Sequence, residues 1–310
     1  MNFKKCAAAL MEQDNILLIT HKNPDGDTMG SAAALCSALR RAGKTAYLFP
    51  NDSVIEKLLP YVEKFYAPEG FVPEYTVAVD VATENMFCKG FKAHVDLCID
   101  HHPTNSRYAD KLLLIEDKAS CGEIILGVIK AMGKGVTEEE ATLLYIALTT
   151  DCGCYQYGNT TDKTLSAGAE LVRLGARNVE VSRVFFRIIS RGRMKLEGMI
   201  YDSITFHHDD RVVVATVTRD MMNRAGAAED DCDDLAGIAG RTGAPLSITI
   251  RENEDGSSKI SVRSGPEISS SEICAAFGGG GHSMAAGCTI HEAPAKAKQL
   301  LLDVVNEVIG

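Results

Sequence analysis

A chain of 310 residues is long enough for two hydrophobic cores and slightly long for one. At 45% apolar and 24% charged it fits the soluble globular class, and its apolar runs fall short of the roughly 18 residues a membrane span needs. A formal net charge of -10 excludes a protein that coats long nucleic acid, because such binding runs on phosphate neutralisation; a small phosphorylated ligand in a local basic pocket stays open.

The opening MNFKKCAAALMEQDN has a basic pair and an apolar patch, then Glu12 and Asp14 without a small-residue cleavage site. It reads as a surface helix, so a cytoplasmic location is expected. The apolar run Asn15–Thr20 is a first strand that empties into the loop HKNPDGDTMGS, followed by a helix from about Met29 to Gly43. Thr45–Phe49 is a second strand, Glu56–Phe65 a helix, Thr76–Ala82 a third strand. VDLCID, Val95–Asp100, is the next, and it runs straight into His101 and His102 before Pro103 stops it. Strands alternating with helices indicate an α/β fold with a parallel sheet covered on both faces.

A helical pattern spans Cys121–Met132. Thr137 and Glu140 form a capping box for a helix that ends near Asp151, and Thr164–Ala176 is helical again. The first domain is expected over 1–184, a linker helix over 185–198 and a second domain over 199–310. The stretch Arg183–Gly198 is the most basic of the chain; it is either a solvated linker or the source of an arginine, Arg187, Arg191 or Arg193, that faces an anionic ligand. The second domain reads as α+β: a hairpin turning at His207–Asp210, an acidic run Glu229–Asp234 at a helix start, a hairpin turning at Glu254–Gly256, the loop GGGGHSMAAG, a strand Cys288–His291 and a terminal helix.

Ten cysteines, among them Cys36, Cys98, Cys274 and Cys288, fall mostly inside apolar patterns without paired C-x-x-C spacing, which indicates buried free thiols. Cys152 and Cys154 make a single C-x-C beside Asp151. That is open to a soft metal but lacks the partner pair of a zinc site.

The chemistry gathers at strand ends. The first delivers His21, Asp25 and Asp27, the third Asp80, the fourth Asp100, His101 and His102, and a helix end delivers Asp151. Carboxylates crowded at one sheet edge repel one another and are driven towards protonation unless cations neutralise them. Taken singly, Asp25 and Asp27 are ordinary helix caps. Jointly, mixed carboxylate and imidazole donors suit two divalent ions, Mn2+ first, with Mg2+, Fe2+ or Co2+ as substitutes, in the arrangement that serves in-line phosphoryl displacement. In the second domain, Gly278–Gly281 beside His282 offers backbone that an anion can approach closely, and Arg263 is a candidate phosphate fork.

These residues resemble the DHH/DHHA1 phosphoesterase family, in its short bacterial nanoRNase/pAp-phosphatase and cyclic-di-AMP phosphodiesterase branches. The match runs through HKNPDGDTMGS, VAVDVA, IDHHPTN, TTDCG, SVRS and FGGGGHSMAAG, so it covers nearly the whole chain. The resemblance implies a parallel-sheet DHH domain with a smaller α+β DHHA1 domain across a cleft. It implies one Mn2+ on His21, Asp25 and Asp80 and a second on Asp27, Asp80, His101 and Asp151, with Asp80 bridging. His102 is then a substrate contact or acid/base helper, and Asp100 orients the histidine pair. Arg263, Gly279, Gly280, Gly281 and His282 grip the nucleotide, with Arg191 a further candidate.

The implied reaction is cleavage of short 5'-phosphorylated oligonucleotides to mononucleotides and of pAp to AMP, with a di-adenylate (cyclic di-AMP or pApA) phosphodiesterase as the alternative. A manganese pyrophosphatase and a nucleotide-binding sensor without turnover are the more distant readings. No membrane or long duplex partner is implied, and a homodimer is as compatible as a monomer. The chain departs from the family at Cys152 and Cys154, which bring thiols to the fourth motif, and at Ser283, where relatives often carry a basic residue.

Overall fold

The computed structural model describes residues 1–232 and 235–309, so Asp233 and Asp234 of the acidic run lie outside the described residues. The chain forms two compact units that divide between Ile188 and Ile189.

The first unit runs α1 (Phe3–Met11), β1 (Ile16–Ile19), α2 (Gly26–Arg41), β2 (Ala46–Leu48), α3 (Leu59–Val62), β3 (Tyr75–Val79), β4 (Leu97–Asp100), β5 (Lys111–Leu114), α4 (Cys121–Ala131), α5 (Glu138–Asp151), α6 (Asp162–Arg173) and α7 (Asn178–Phe186). The five strands are parallel in the order β2-β1-β3-β4-β5. Strand periodicity splits their side chains between two cores. Ile16, Leu18, Val77, Val79, Leu97 and Ile99 enter the large core with α1, α2, α4 and α5, while Leu17, Ile19, Ala78 and Cys98 enter a smaller one. The smaller face is closed by Val81, Cys88, Phe91 and Val95 from an irregular segment holding only a short 3-10 turn, Glu84–Met86. The sheet is thus covered on both faces as expected, the smaller face by side chains of this irregular segment in place of a helix.

Other local expectations shift for identifiable reasons. Helix α2 starts at Gly26, earlier than the apolar pattern suggests, because Asp25 Oδ1 accepts the amides of Asp27 and Thr28 as an N-cap. The helix expected over Glu56–Phe65 shortens to α3, with Pro60 in its first turn, and a 3-10 turn at Glu63–Phe65. Edge strand β5 carries no alternating pattern and was not anticipated; Lys111 is exposed and only Leu113 is fully buried. The basic stretch is two helices, since α7 ends at Phe186 and the next helix starts at Arg191 behind an N-cap at Ser190.

Two contacts hold the helical layer together. The capping box of Thr137 and Glu140 forms as expected, and the same buried Glu140 carboxylate accepts Ser37 Oγ at 3.0 Å and both Arg41 Nε and Nη2, at 2.8 and 2.9 Å. Helix α2 also lies so close to α5 that a Cβ on Gly30 would stand 2.5 Å from the Leu143 carbonyl oxygen.

The second unit runs α8 (Arg191–Ser203), β6 (Thr205–His207), β7 (Val212–Val217), α9 (Arg219–Ala225), α10 (Ala236–Gly240), β8 (Leu246–Glu252), β9 (Ser258–Ser264), α11 (Ser270–Ala275), β10 (Gly280–His282), β11 (Ala285–Ile290) and α12 (Pro294–Ile309). Its mixed sheet has the order β10-β11-β9-β8-β7-β6, parallel only between β7 and β8. One face packs Ile248, Ile260, Val262 and Cys288 with α11 and α12; on the other, Val213, Ala215 and Val217 pack with α8, α9 and α10. No helix among the described residues is long and apolar enough to cross a membrane, and all ten cysteines are free, nine of them buried.

Gly30→Ala should lower stability by about 1–3 kcal/mol through overpacking against α5 backbone, whereas Gly198→Ala, with nothing within 4 Å of the added carbon, should be neutral or stabilising by up to about 1 kcal/mol. Thermal unfolding of the two variants beside the parent measures the difference, and equal melting temperatures for both would contradict the close approach.

Candidate metal centre

The strand order changes direction between β1 and β3, and at such a switch point the carboxyl ends of the strands open into a crevice. His21 follows β1, Asp80 follows β3, and Asp100, His101 and His102 lie at the end of β4. Asp25 and Asp27 sit at the start of α2, and Asp151 closes α5. The structure brings all six of the sequence-derived metal candidates to this one place.

They fall into two groups. His21, Asp25 and Asp80 offer ligand atoms within 4.8 Å of one another, and so do Asp27, His101 and Asp151. Asp80 reaches both: Oδ2 stands 3.9 Å from His21 Nε2, and Oδ1 stands 3.4 Å from His101 Nε2. His101 Nε2 lies also 3.8 Å from Asp27 Oδ2 and 3.6 Å from Asp151 Oδ2. Among the described residues, a further triplet, His94, Asp96 and Asp110, stands just before β4 and β5, at the opposite ends of those strands.

Asp80 shows why the site calls for a cation. It is 2% exposed, and its Oδ1 is a buried acceptor with no hydrogen-bond partner. Its backbone is held at φ +60°, a left-handed conformation that costs a non-glycine residue on the order of 1 kcal/mol or more and that collects at functional sites. Thr28 Oγ donates to the Val79 carbonyl at 2.8 Å and so ties the first turn of α2 to the residue before it. An orphaned buried carboxylate oxygen facing an imidazole nitrogen and two further carboxylates fits a divalent cation.

The electrostatics agree. Burial, then the charges of Asp80 and Asp151, push Asp27 well above the usual carboxylate range, with His101 only partly offsetting them. Burial likewise lifts Asp151 to about 6 against the pull of His101. For His101, burial alone would favour the neutral ring, but the nearby carboxylates of Asp80, Asp27 and Asp151 outweigh it and push the group up to about 10.

Each group is held from behind. Asp27, 1% exposed, accepts the amides of Cys121 and Gly122 at the start of α4, at 2.7 and 2.9 Å, and Ser31 Oγ at 3.0 Å. Asp100 is fully buried; its Oδ1 accepts His101 N at 2.8 Å, His102 N at 3.2 Å and His102 Nδ1 at 2.7 Å, and its Oδ2 accepts Asn105 Nδ2 at 2.6 Å. Asn51 Nδ2 donates to the His21 carbonyl at 3.0 Å. Asn105 and Asn51 were not singled out from the sequence; only the position of Asn105, closing the apolar-to-polar run after Pro103, offered a signal. Asp151 is presented by an abrupt end to α5, where Gly153, Cys154 and Tyr155 all take positive φ. Cys152 is buried and Cys154 half-buried, and neither is in a ligand group.

In the second unit the glycine stretch is not a free loop. Gly280–His282 is edge strand β10, antiparallel to β11, so its outer backbone groups face no strand. His282 pairs with Ala285 and Ala285 with Arg263, which puts the imidazole and the guanidinium on one sheet face with a methyl group between them. Both side chains belong to exposed residues. Gly279 is tightly placed, since a Cβ there would meet Cys288 Cβ at 2.3 Å. Arg191 begins α8, which packs on β7 in the other half of the sheet, and Arg193 is engaged by Glu197 and the Asp231 carbonyl.

Residues 15–148 match the DHH family, N-terminal domain, and residues 209–310 match the DHHA1 domain. A bifunctional oligoribonuclease and PAP phosphatase, NrnA, of Thermus thermophilus is 33% identical over 283 residues, spanning 89% of this chain and 84% of that protein. The chain belongs to the DHH family. A Bacillus subtilis protein of the same name is 25% identical, covering 90% of each chain. The DHH fold is matched by an exopolyphosphatase-related protein from Bacteroides fragilis, with a TM-score of 0.85 at 19% identity over 98% of this chain and 96% of that one. Asp151 lies outside both matched stretches of the DHH and DHHA1 domains, so its part in the centre rests on geometry.

At about 100 times its Kd, one bound Mn2+ adds about 2.7 kcal/mol of stability. The parent should therefore melt higher in Mn2+. Asp80→Asn keeps a residue that tolerates positive φ but removes the charge, and its melting temperature should not respond; an equal response in both proteins would remove Asp80 from the centre.

Proposed function

We propose that this chain is a Mn2+-dependent phosphoesterase that hydrolyses short 5'-phosphorylated oligonucleotides to mononucleotides and pAp to AMP. The observation that carries the reading is the buried, unpartnered Oδ1 of Asp80, with its two oxygens turned to two separate donor groups. Support for the substrate class comes from the two relatives named above, each called a bifunctional oligoribonuclease and PAP phosphatase and each matched over most of its length.

His21, Asp25 and Asp80 would hold one cation, and Asp27, Asp80, His101 and Asp151 the other. Divalent cations there supply Lewis acidity to the phosphate oxygens and lower the pKa of water, and Mn2+ suits the mixed oxygen and nitrogen donors, with Mg2+, Fe2+ or Co2+ able to substitute. His102 does its work through Nε2: Nδ1 is committed to the buried Asp100 at 2.7 Å, which fixes the ring and leaves Nε2 to meet the phosphate or donate a proton to the leaving oxygen. Asp100 orients it and anchors both histidine amides. In the second unit, Arg263 and His282 flank Ala285 and give a fork and an imidazole for the substrate phosphate, with Gly279, Gly280 and Gly281 keeping side-chain atoms out of its path. Arg191 is a weaker candidate for the same ligand, since its helix packs on the far half of the sheet.

Chromatographic product analysis with Mn2+ and pApA, pAp, cyclic di-AMP or pyrophosphate tests the assignment. AMP should appear from pApA and pAp with the parent and not with Asp80→Ala, and chelation should abolish it. Consumption of pyrophosphate alone, or nucleotide binding without turnover, would overturn the proposal. His102→Ala should lower kcat by roughly 100- to 10,000-fold, as expected for loss of a positioned acid or base, while leaving Mn2+ binding intact.

A further inference from the structure

The segment 118–123, which leads into the first turn of α4, touches two residues of the metal centre, His101 and Asp27. Its first peptide, Lys118 to Ala119, matters most. The Lys118 carbonyl oxygen lies 3.1 Å from His101 Nδ1. A carbonyl can only accept, so Nδ1 carries the proton and Nε2 is the atom left for a metal, facing Asp27, Asp80 and Asp151.

The other end of the same peptide is held by Glu123. Its Oε1 accepts the Ala119 amide at 3.1 Å and Thr164 Oγ1 at 3.1 Å, and its Oε2 accepts Lys118 Nζ at 2.9 Å. Ser120 and Glu123 have the spacing of a capping box, and Ser120 Oγ does accept the Glu123 amide, at 3.4 Å. The glutamate, however, goes to Ala119 and Lys118 and makes no return bond to Ser120 N. The adjoining residues serve the centre as well: the Cys121 and Gly122 amides hold Asp27, and Asn159 Nδ2 donates to the carbonyls of both Ala119 and Asp151 at 3.2 Å.

The geometry points to Glu123 as a positioning residue for the metal centre: through one peptide group it fixes the tautomer and aim of His101, and through the start of α4 it fixes Asp27. A carboxylate on the amide end of a peptide polarises the carbonyl end, so Glu123, 6% exposed, strengthens the hydrogen bond that the Lys118 carbonyl accepts from His101 Nδ1. The Glu123 side chain belongs to none of the candidate ligand groups. This inference rests on the reading that the centre holds divalent cations.

The test is Mn2+ binding to metal-free full-length protein, followed by electron paramagnetic resonance of free Mn2+, for the parent, Glu123→Gln and Glu140→Gln. Parent binding checks the underlying reading; a parent that binds no Mn2+ sinks that reading and not the present one alone. Glu123→Gln should bind at least one Mn2+ about 10-fold more weakly, the lower end of what loss of a supporting partner costs. Glu140→Gln removes an equally buried carboxylate elsewhere in the unit and should lower the melting temperature without moving Mn2+ affinity. Equal affinity in parent and Glu123→Gln overturns the proposal. Should Glu123→Gln fail to fold, nitrogen-15 histidine spectra of the Zn2+-loaded parent decide: a proton at His101 Nδ1 in slow exchange is expected, and a proton at Nε2 overturns it.

Discussion

The rest of the first unit depends on one electrostatic constraint: Asp25, Asp27, Asp80, Asp100 and Asp151 stand at one end of a single parallel sheet, and three of these acids are almost entirely buried. Each negative charge is answered in a different way. Asp100 is satisfied by amides and side-chain donors of its own loop, and Asp25 by the amides of the helix it caps. Asp27 leans on the start of α4. Asp80 has no such partner for Oδ1, a deficit that a divalent cation would answer. The fold can tolerate the arrangement because the helical layer behind it is tied by Glu140 and by the close approach of α2 and α5.

Much of this was legible in the sequence, for a physical reason. A central parallel strand is buried on both faces, so it reads as a continuous apolar run, and the first ionisable residue after the run marks the open end of the sheet. His21, Asp80 and Asp100 all announce themselves that way. What the sequence concealed depended on tertiary neighbours. The start of α2 was hidden because Asn-Pro-Asp-Gly-Asp has loop composition, and only the capping bonds of Asp25 show that Gly26 is already helical. Strand β5 was hidden because an edge strand with one buried position needs no alternation.

The second unit teaches the complementary lesson. Four glycines in a row suggest a flexible loop, yet Gly280, Gly281 and His282 form a sheet edge, because pairing with β11 and the tight seat of Gly279 over Cys288 leave little freedom. The residue types were readable as anion-binding material; their register was not. Glu123 was hidden by ambiguity, since Ser-x-x-Glu reads as a capping box until the glutamate is seen to hold a different amide.

The left-handed backbone of Asp80 also limits how this protein can change over generations. At φ +60° glycine and asparagine are the replacements that fit without rebuilding the strand end. Either lies one nucleotide substitution from an aspartate codon, and either removes the carboxylate on which both donor groups converge. A gene of this design is therefore a single base change away from encoding a folded protein with an incomplete centre, a short route from a hydrolase to a nucleotide receptor.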